Sequence, residues 1–267
     1  MVTSKQTGSW DEVWRKQKPP WVYHNVLETV LGEVENPAAS KILEVGCGRG
    51  FTLLQLACCG AQVVGLDYSA EAIAVCQRLR DQMENPEKST FVLGDARALP
   101  FADQSFNFAY SIGVIEHFED PRPLLMEQYR VLRTGGKLLV QVPQKYSLGT
   151  LVKKLMIPLG KWPYGGWETE FSAQELTNLA VQTGFEPQIC FGYGSFILAS
   201  LRHFLVPTLG FGGMWRVGLN TAWVRAVKAH TAMDVCLVAK KHGLPNASRQ
   251  FDQRASLSKD SPCGFSP

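Results

Sequence analysis

The sequence predicts an α/β fold, doubly wound around a mostly parallel sheet, and three observations predict it. A short apolar strand, Ile42 to Val45, runs straight into a glycine-rich turn and then a helix. Strand-like and helix-like segments then alternate through the middle of the chain, as βα units do. Finally, successive strand-like runs end on polar residues, Asp67, Asp95 and Ser111, at regular spacing. In open α/β sheets ligands bind outside the carboxyl ends of the strands, where these residues fall.

The elements follow in chain order. Gly46 and Gly48, after the first strand, let the backbone turn sharply and admit a ligand where any Cβ would clash. Phe51 to Cys59 is an apolar helix, with Gly60 placed to stop it. Gln62 to Leu66 is a second strand closing on Asp67, and Ser69 caps a helix through Leu79. Thr90-Phe-Val-Leu93 is a third strand reaching Gly94-Asp95-Ala96, and Phe106 to Ser111 is a fourth running into Gly113-Val-Ile-Glu-His117. Pro121 begins a helix through Leu132, and Leu132 to Val142 holds a glycine turn and a fifth strand. Ser172-Ala-Gln-Glu175 is a capping box before a helix ending at Gly184. Pro187 to Tyr193 and Asp234 to Lys240 complete the strands.

A dinucleotide-binding turn starts the same way, but its third glycine would fall at position 51, where this chain has Phe51. Glu44 argues the same way, because a carboxylate there repels a pyrophosphate and attracts an ammonium group. A nicotinamide-dependent oxidoreductase is therefore the less favoured alternative.

Leu43 to Gly50 resembles motif I of the class I S-adenosylmethionine-dependent methyltransferases, and the resemblance continues in order through Val142. It implies a seven-stranded Rossmann-like sheet with S-adenosyl-L-methionine as cofactor. It also implies that Asp67 binds both ribose hydroxyls, that Asp95 accepts the adenine amino group, and that the backbone at Ala96 meets the ring edge. Glu44, Gly46, Cys47 and Gly48 of the turn, with Tyr68 and Ser111 beside the strand ends, complete the expected cofactor contacts. The general likeness is to the ubiquinone/menaquinone-biosynthesis type of small-molecule methyltransferase. The implied activity is methyl transfer to a small, lipophilic or amphiphilic acceptor, on oxygen rather than carbon or nitrogen. A catalytically silent methyltransferase-like partner subunit is the alternative, against which the intact motifs argue.

The chemistry asks the protein to align an acceptor with the methyl, exclude water and, for oxygen, remove a proton. His117 is the candidate base by position, with His203, His230 and Tyr164 as contributors; a purely structural His117 is the competing reading. Cys47 reads as a small residue fitting the turn, since methyl transfer from a sulfonium needs no thiol. Glu116-His117 resembles part of a Glu-x-x-Glu-His metal cluster, but Gly113 stands where the first acid belongs, and no metal is expected. Ser111-Ile-Gly-Val replaces the Asn/Asp-Pro-Pro-Tyr segment of amide and adenine methylases, so those acceptors lose weight.

With 267 residues, 45% of them hydrophobic, the chain can bury a large core without disulfides. Its seven cysteines form no metal-type or redox pattern and read as reduced thiols in a cytoplasmic protein. A net charge of +3 and no RNA-binding module argue against nucleic acid. Residues 1–36 form an N-terminal helical segment whose Trp10, Trp14 and Trp21 are either lid or packing residues; 37–242 form the catalytic domain; 243–267, rich in Ser, Asp, Lys and Pro, form a tail expected to be disordered. Two inserts, 144–169 and 194–230, are apolar and basic, and no acid occurs from Pro187 to Met233. They serve either as a hydrophobic lid gripping the acceptor or as peripheral membrane contacts. Oligomeric state is not legible.

Overall fold

The computed structural model describes residues 11, 27–147, 150–151, 154–155, 157–159, 168–193, 232 and 234–242. Within them, helix α1 (Leu27–Glu33) precedes β1 (Lys41–Val45), α2 (Phe51–Cys58), β2 (Gln62–Asp67), α3 (Ala70–Arg80), β3 (Ser89–Leu93) and β4 (Phe106–Ile112). Then come α4 (Arg122–Val131), β5 (Leu132–Pro143), α5 (Ala173–Gln182), β6 (Phe185–Tyr193) and β7 (Asp234–Lys241). The seven strands form one sheet in the order β3-β2-β1-β4-β5-β7-β6. β1 to β5 pair in parallel, whereas β7 runs antiparallel between β5 and β6. The expected doubly wound, mostly parallel architecture is present. Its strand order reverses between β1 and β4, which places a ligand crevice at their carboxyl ends.

Both faces of the sheet are buried, as a parallel sheet requires. Leu43, Val45, Leu66, Phe106 and Leu138 pack on one face with Leu124 of α4 and Leu176 of α5. Ile42, Val63, Phe108, Tyr110, Leu139 and Val238 pack on the other with Val30 of α1 and Leu53 and Leu56 of α2. The helix signals act as the sequence indicates. Ser69 Oγ accepts from Ala72 N (3.1 Å), Ser172 and Glu175 close a capping box, and Gly60 and Gly184 follow their helices at positive φ.

Two element boundaries differ from expectation. The glycines before the fifth strand lie inside β5, because the β4–β5 register shifts between Phe106 and Phe108 and Gly135 adopts φ 78°. A side chain at Gly136 would meet the carbonyls of Arg133 and Asn107 at 2.8 and 3.0 Å. β6 begins two residues early, at Phe185, and tolerates Pro187 because it is an edge strand whose register shifts there.

The first insert leaves β5 at Pro143 and is pinned on its return, Phe171 N donating to Pro143 O and Lys145 N to Phe171 O (both 3.0 Å). The second leaves β6 at Tyr193 and re-enters at Asp234. Asp234 pairs with both Tyr193 and Pro143, so the three points lie side by side. Trp10, Trp14, Trp21, Tyr164, His203, His230, the interior of the second insert and the tail lie outside the described residues.

Candidate functional site

The turn after β1 is held from below by β2. Gly46 N and Cys47 N both donate to Leu66 O (2.7 and 3.0 Å), and Gly50 N closes back onto Cys47 O (2.7 Å). Gly46, Gly48 and Gly50 all have positive φ. A Cβ at Gly46 would stand 2.4 Å from Val114 Cγ2, so the cradle admits only glycine without rearrangement. Cys47 is buried over Gly65, and the neighbouring Cys76 together with burial pushes its thiol well up. That chemistry suits a space-filling residue and not a nucleophile.

Asp67, at the tip of β2, is the organising carboxylate. Its Oδ2 accepts from Gly48 N (2.8 Å) and its Oδ1 from Ser69 N (2.9 Å). Each oxygen keeps a further lone pair, which a vicinal diol can fill. Burial raises the carboxyl above its ordinary range, against the backbone N–H groups of Ser69, Gly48 and Tyr68. Ser69 also donates to the carboxylate of Asp11, which sets a second acid near Asp67. On either side of Asp67, Tyr68 (47% exposed) and Leu93, its register partner on β3, offer apolar surface for a purine. Asp95 is bound by the Arg97 guanidinium through contacts of 2.5 to 3.1 Å, and that hydrogen bonding holds its carboxyl low. An adenine amino group would share this carboxylate with Arg97. Ala96 is buried beside it.

Glu44 lies beneath the turn, 6% exposed. It is the register partner of Gly65 on β2 and Tyr110 on β4, and the Tyr110 hydroxyl donates to its Oε2 (2.9 Å). Burial pushes the carboxyl up from 4.5 to about 8, against the pull of that hydrogen bond. Glu44 is therefore neutral in the ligand-free protein at pH 7, and an adjacent ammonium would draw it into the ionised form. Between about 4.5 and about 8 the folded chain keeps a proton that the unfolded chain has lost, so stability falls as pH rises through this window. Glu44→Gln is expected to flatten that slope in denaturant melts taken across the window, leaving between about 3.8 and about 7 the like-signed contribution of the buried Asp234. Tyr110→Phe leaves the buried carboxyl without this donor and is expected to cost about 1–3 kcal/mol.

The expected acceptor side corresponds to the carboxyl ends of β4 and β5 and the start of β7. Ser111, 1% exposed, has no hydrogen-bond partner for its hydroxyl among the described residues. His117 ends a single 3-10 turn, Ile115–His117, and is half-buried. Glu116 O in that turn accepts from Thr169 N (2.9 Å), so the first insert returns onto the segment carrying His117. Sequence reasoning passed over Gln141 and Asp234. Gln141 Nε2 donates to Asp234 Oδ2 (3.0 Å), while its own Oε1 is buried without a partner among the described residues. Burial pushes Asp234 from 3.8 to about 7, against that hydrogen bond. No local motif signals this pair, because only the placement of β7 beside β5 creates it.

These residues fit S-adenosylmethionine. The turn at Gly46, Gly48 and Gly50 is shaped by positive φ and packed against Val114, Asp67 retains capacity for the ribose hydroxyls, and Glu44 lies beneath the turn, where a cation would favour its ionised form.

Residues 43–140 match a family model described as a methyltransferase domain. An O-methyltransferase of Aspergillus sclerotiorum is 28% identical, over 67% of this chain and 67% of its own length. A probable S-adenosylmethionine-dependent methyltransferase of Mycobacterium tuberculosis is 32% identical, over 55% of this chain and 49% of its own. The chain thus spans about half to two thirds of the curated relatives it matches. Among solved structures, a complex of the Haloferax volcanii Trm112 methyltransferase activator with a putative methyltransferase superposes with a TM-score of 0.63. The match covers 91% of this chain and 98% of that one at 15% identity, and so speaks for the fold alone.

Proposed function

We propose, from the premise that this chain belongs to the class I S-adenosylmethionine-dependent methyltransferases, that it methylates an oxygen atom of a small lipophilic or amphiphilic acceptor. The observation carrying the donor half is Asp67, which braces the glycine turn with both oxygens and keeps lone pairs for a ribose. When bound, the donor supplies a methyl group already activated on a sulfonium. Glu44 and the turn orient its amino-acid end, while Tyr68 and Leu93 cover its purine. A nicotinamide cofactor is disfavoured by Phe51, the first residue of α2, where close helix–strand packing needs glycine.

For the acceptor half, the name of the Aspergillus relative and the titratable groups at the acceptor side support oxygen. A hydroxyl must surrender its proton as the methyl arrives, and His117 is positioned on the segment after β4 to take it. Asp234, titrating near neutrality and steadied by Gln141, is a second group able to hold that proton. The apolar inserts at the strand ends favour a lipophilic acceptor, the class that the ubiquinone-type resemblance implies.

The test is incubation with isotopically labelled donor and a lipid-plus-metabolite extract, followed by identification of the labelled product. A labelled hydroxylated lipophile is expected; label on nitrogen or carbon overturns the oxygen reading. Tight donor binding with no labelled product from broad extracts would instead favour the silent-partner reading. With the acceptor in hand, His117→Ala should keep donor affinity and lower turnover about 100-fold or more. Unchanged turnover removes His117 from the reaction. Asp234→Asn then reports the second group: where Asp234 takes the proton, wild-type turnover rises with pH through about 7 and the variant's does not.

A further inference from the structure

We propose that Arg97 is a positioning residue for the donor: in the ligand-free protein its guanidinium occupies the adenine's place on Asp95, and donor binding displaces it toward Phe118. The inference deepens the donor half of the reading above and rests on Asp95 as the acceptor of the adenine amino group. Three observations carry it. First, Arg97 uses up the carboxylate. Asp95 Oδ1 accepts from Arg97 N (2.9 Å) and Nε (3.0 Å), and Oδ2 accepts from Nε (3.1 Å) and Nη2 (2.5 Å). A carboxylate offers about four acceptor positions, so Arg97 alone fills them. An amino group therefore reaches Asp95 only where the guanidinium gives way, at Oδ2, while the backbone N–H of Arg97 keeps its hold on Oδ1.

Second, the pair sits where it can open. The side chains of Arg97 and Asp95 are 30% and 31% exposed, so water reaches the guanidinium as it leaves, and an ion pair this exposed holds only weakly. Third, the guanidinium has a second seat. Its Cζ lies 5.9 Å from the ring centroid of Phe118, within reach of a cation–π contact. Phe118 packs against the core, so the ring is a fixed platform, and it directly follows His117 in the chain. Release of Oδ2 thus leaves the arginine on that ring, at the border between the donor half and the segment carrying the candidate base. Donor binding is thereby passed to the acceptor half by a side chain that moves only from one partner to the other.

The test is titration calorimetry with S-adenosylhomocysteine on the full-length protein at about 0.05 M and roughly 0.5 M salt. Wild type is compared with Arg97→Met, which keeps an apolar stem beside Phe118 and removes the charge. Arg97→Met is expected to bind about threefold tighter or more at low salt, because no competitor holds Asp95. The advantage should shrink at high salt, which screens the half-exposed pair of wild type; the ligand's own charges act on both proteins and cancel in the ratio. Arg97→Lys, a single ammonium without the fork that grips both oxygens, should fall between the two. An arginine that merely braces the loop would give the opposite sign. Equal or weaker binding by Arg97→Met, or an advantage that salt leaves unchanged, overturns the proposal. Asp95→Ala in the Arg97→Met background tests the premise, with binding about fivefold weaker or more as the expected result. Undiminished affinity there removes Asp95 from the adenine site and the proposal with it. Where that loss is seen but Arg97→Met is no tighter than wild type, the displacement alone fails and the donor reading stands.

Discussion

Replacing Asp67 by alanine is expected to lower affinity for S-adenosylhomocysteine by on the order of 5- to 150-fold, the consequence of losing a charged acceptor worth about 1–3 kcal/mol. The loss has two origins. The ribose hydroxyls lose their shared partner, and Gly48 N and Ser69 N lose the acceptor that fixes the turn and the start of α3. Titration calorimetry reads the first, and a denaturant melt of the ligand-free variant reads the second. Asp67→Asn does not rescue fully. Its two oxygens each face a backbone N–H, so an amide NH₂ must point at one of those donors. Wild-type affinity in Asp67→Ala would remove Asp67 from the donor site.

Gly46→Ala is expected to lower donor affinity more than tenfold and to destabilise the protein by about 2 kcal/mol or more, because a left-handed φ and a steric overlap act together. Gly46 has φ 74°, and its added Cβ would lie 2.4 Å from Val114 Cγ2. Val114 immediately precedes the turn carrying His117, so pushing it aside disturbs both halves of the cleft. The double variant Gly46→Ala with Val114→Ala relieves the overlap and keeps the backbone strain. Partial recovery of donor affinity in the double variant is the expected outcome. Melts and calorimetry on the two variants separate the contributions, and an unaffected single variant would show that the turn does not cradle the ligand.

Local chemistry was legible in the sequence, and cross-sheet chemistry was not. Ser69, Ser172 and Glu175 act within four residues of themselves, so their capping roles follow from spacing, and the glycines of the first turn follow from the strand that feeds them. Asp67 could be placed at a strand tip for the same reason. What Glu44 does depends on Tyr110, 66 residues later, which becomes its neighbour only because β4 docks beside β1. An ionised Glu44 open to an ammonium was the natural sequence reading; the structure buries it, and that burial raises its carboxyl to about 8. Gln141 and Asp234 were invisible for the same reason, since 93 residues separate two side chains that an antiparallel pairing joins. Arg97 sat in plain view two residues from Asp95, yet nothing in the spacing told a solvated arginine from one that claims the adenine's expected acceptor.

The position of β7 has a consequence for how the chain emerges during synthesis. Among the described strands, β6 hydrogen-bonds only to β7, and β5 offers its second edge only to β7, so the last of these strands made is the wedge joining the other two. A nascent chain that has left the ribosome as far as Tyr193 therefore carries two unsatisfied backbone edges, one of them along the most apolar stretch of β5. Forty residues must still be translated before Asp234 appears and closes both. Translational pausing or premature termination in that interval would present open strands to other chains, the condition under which cells call on chaperones.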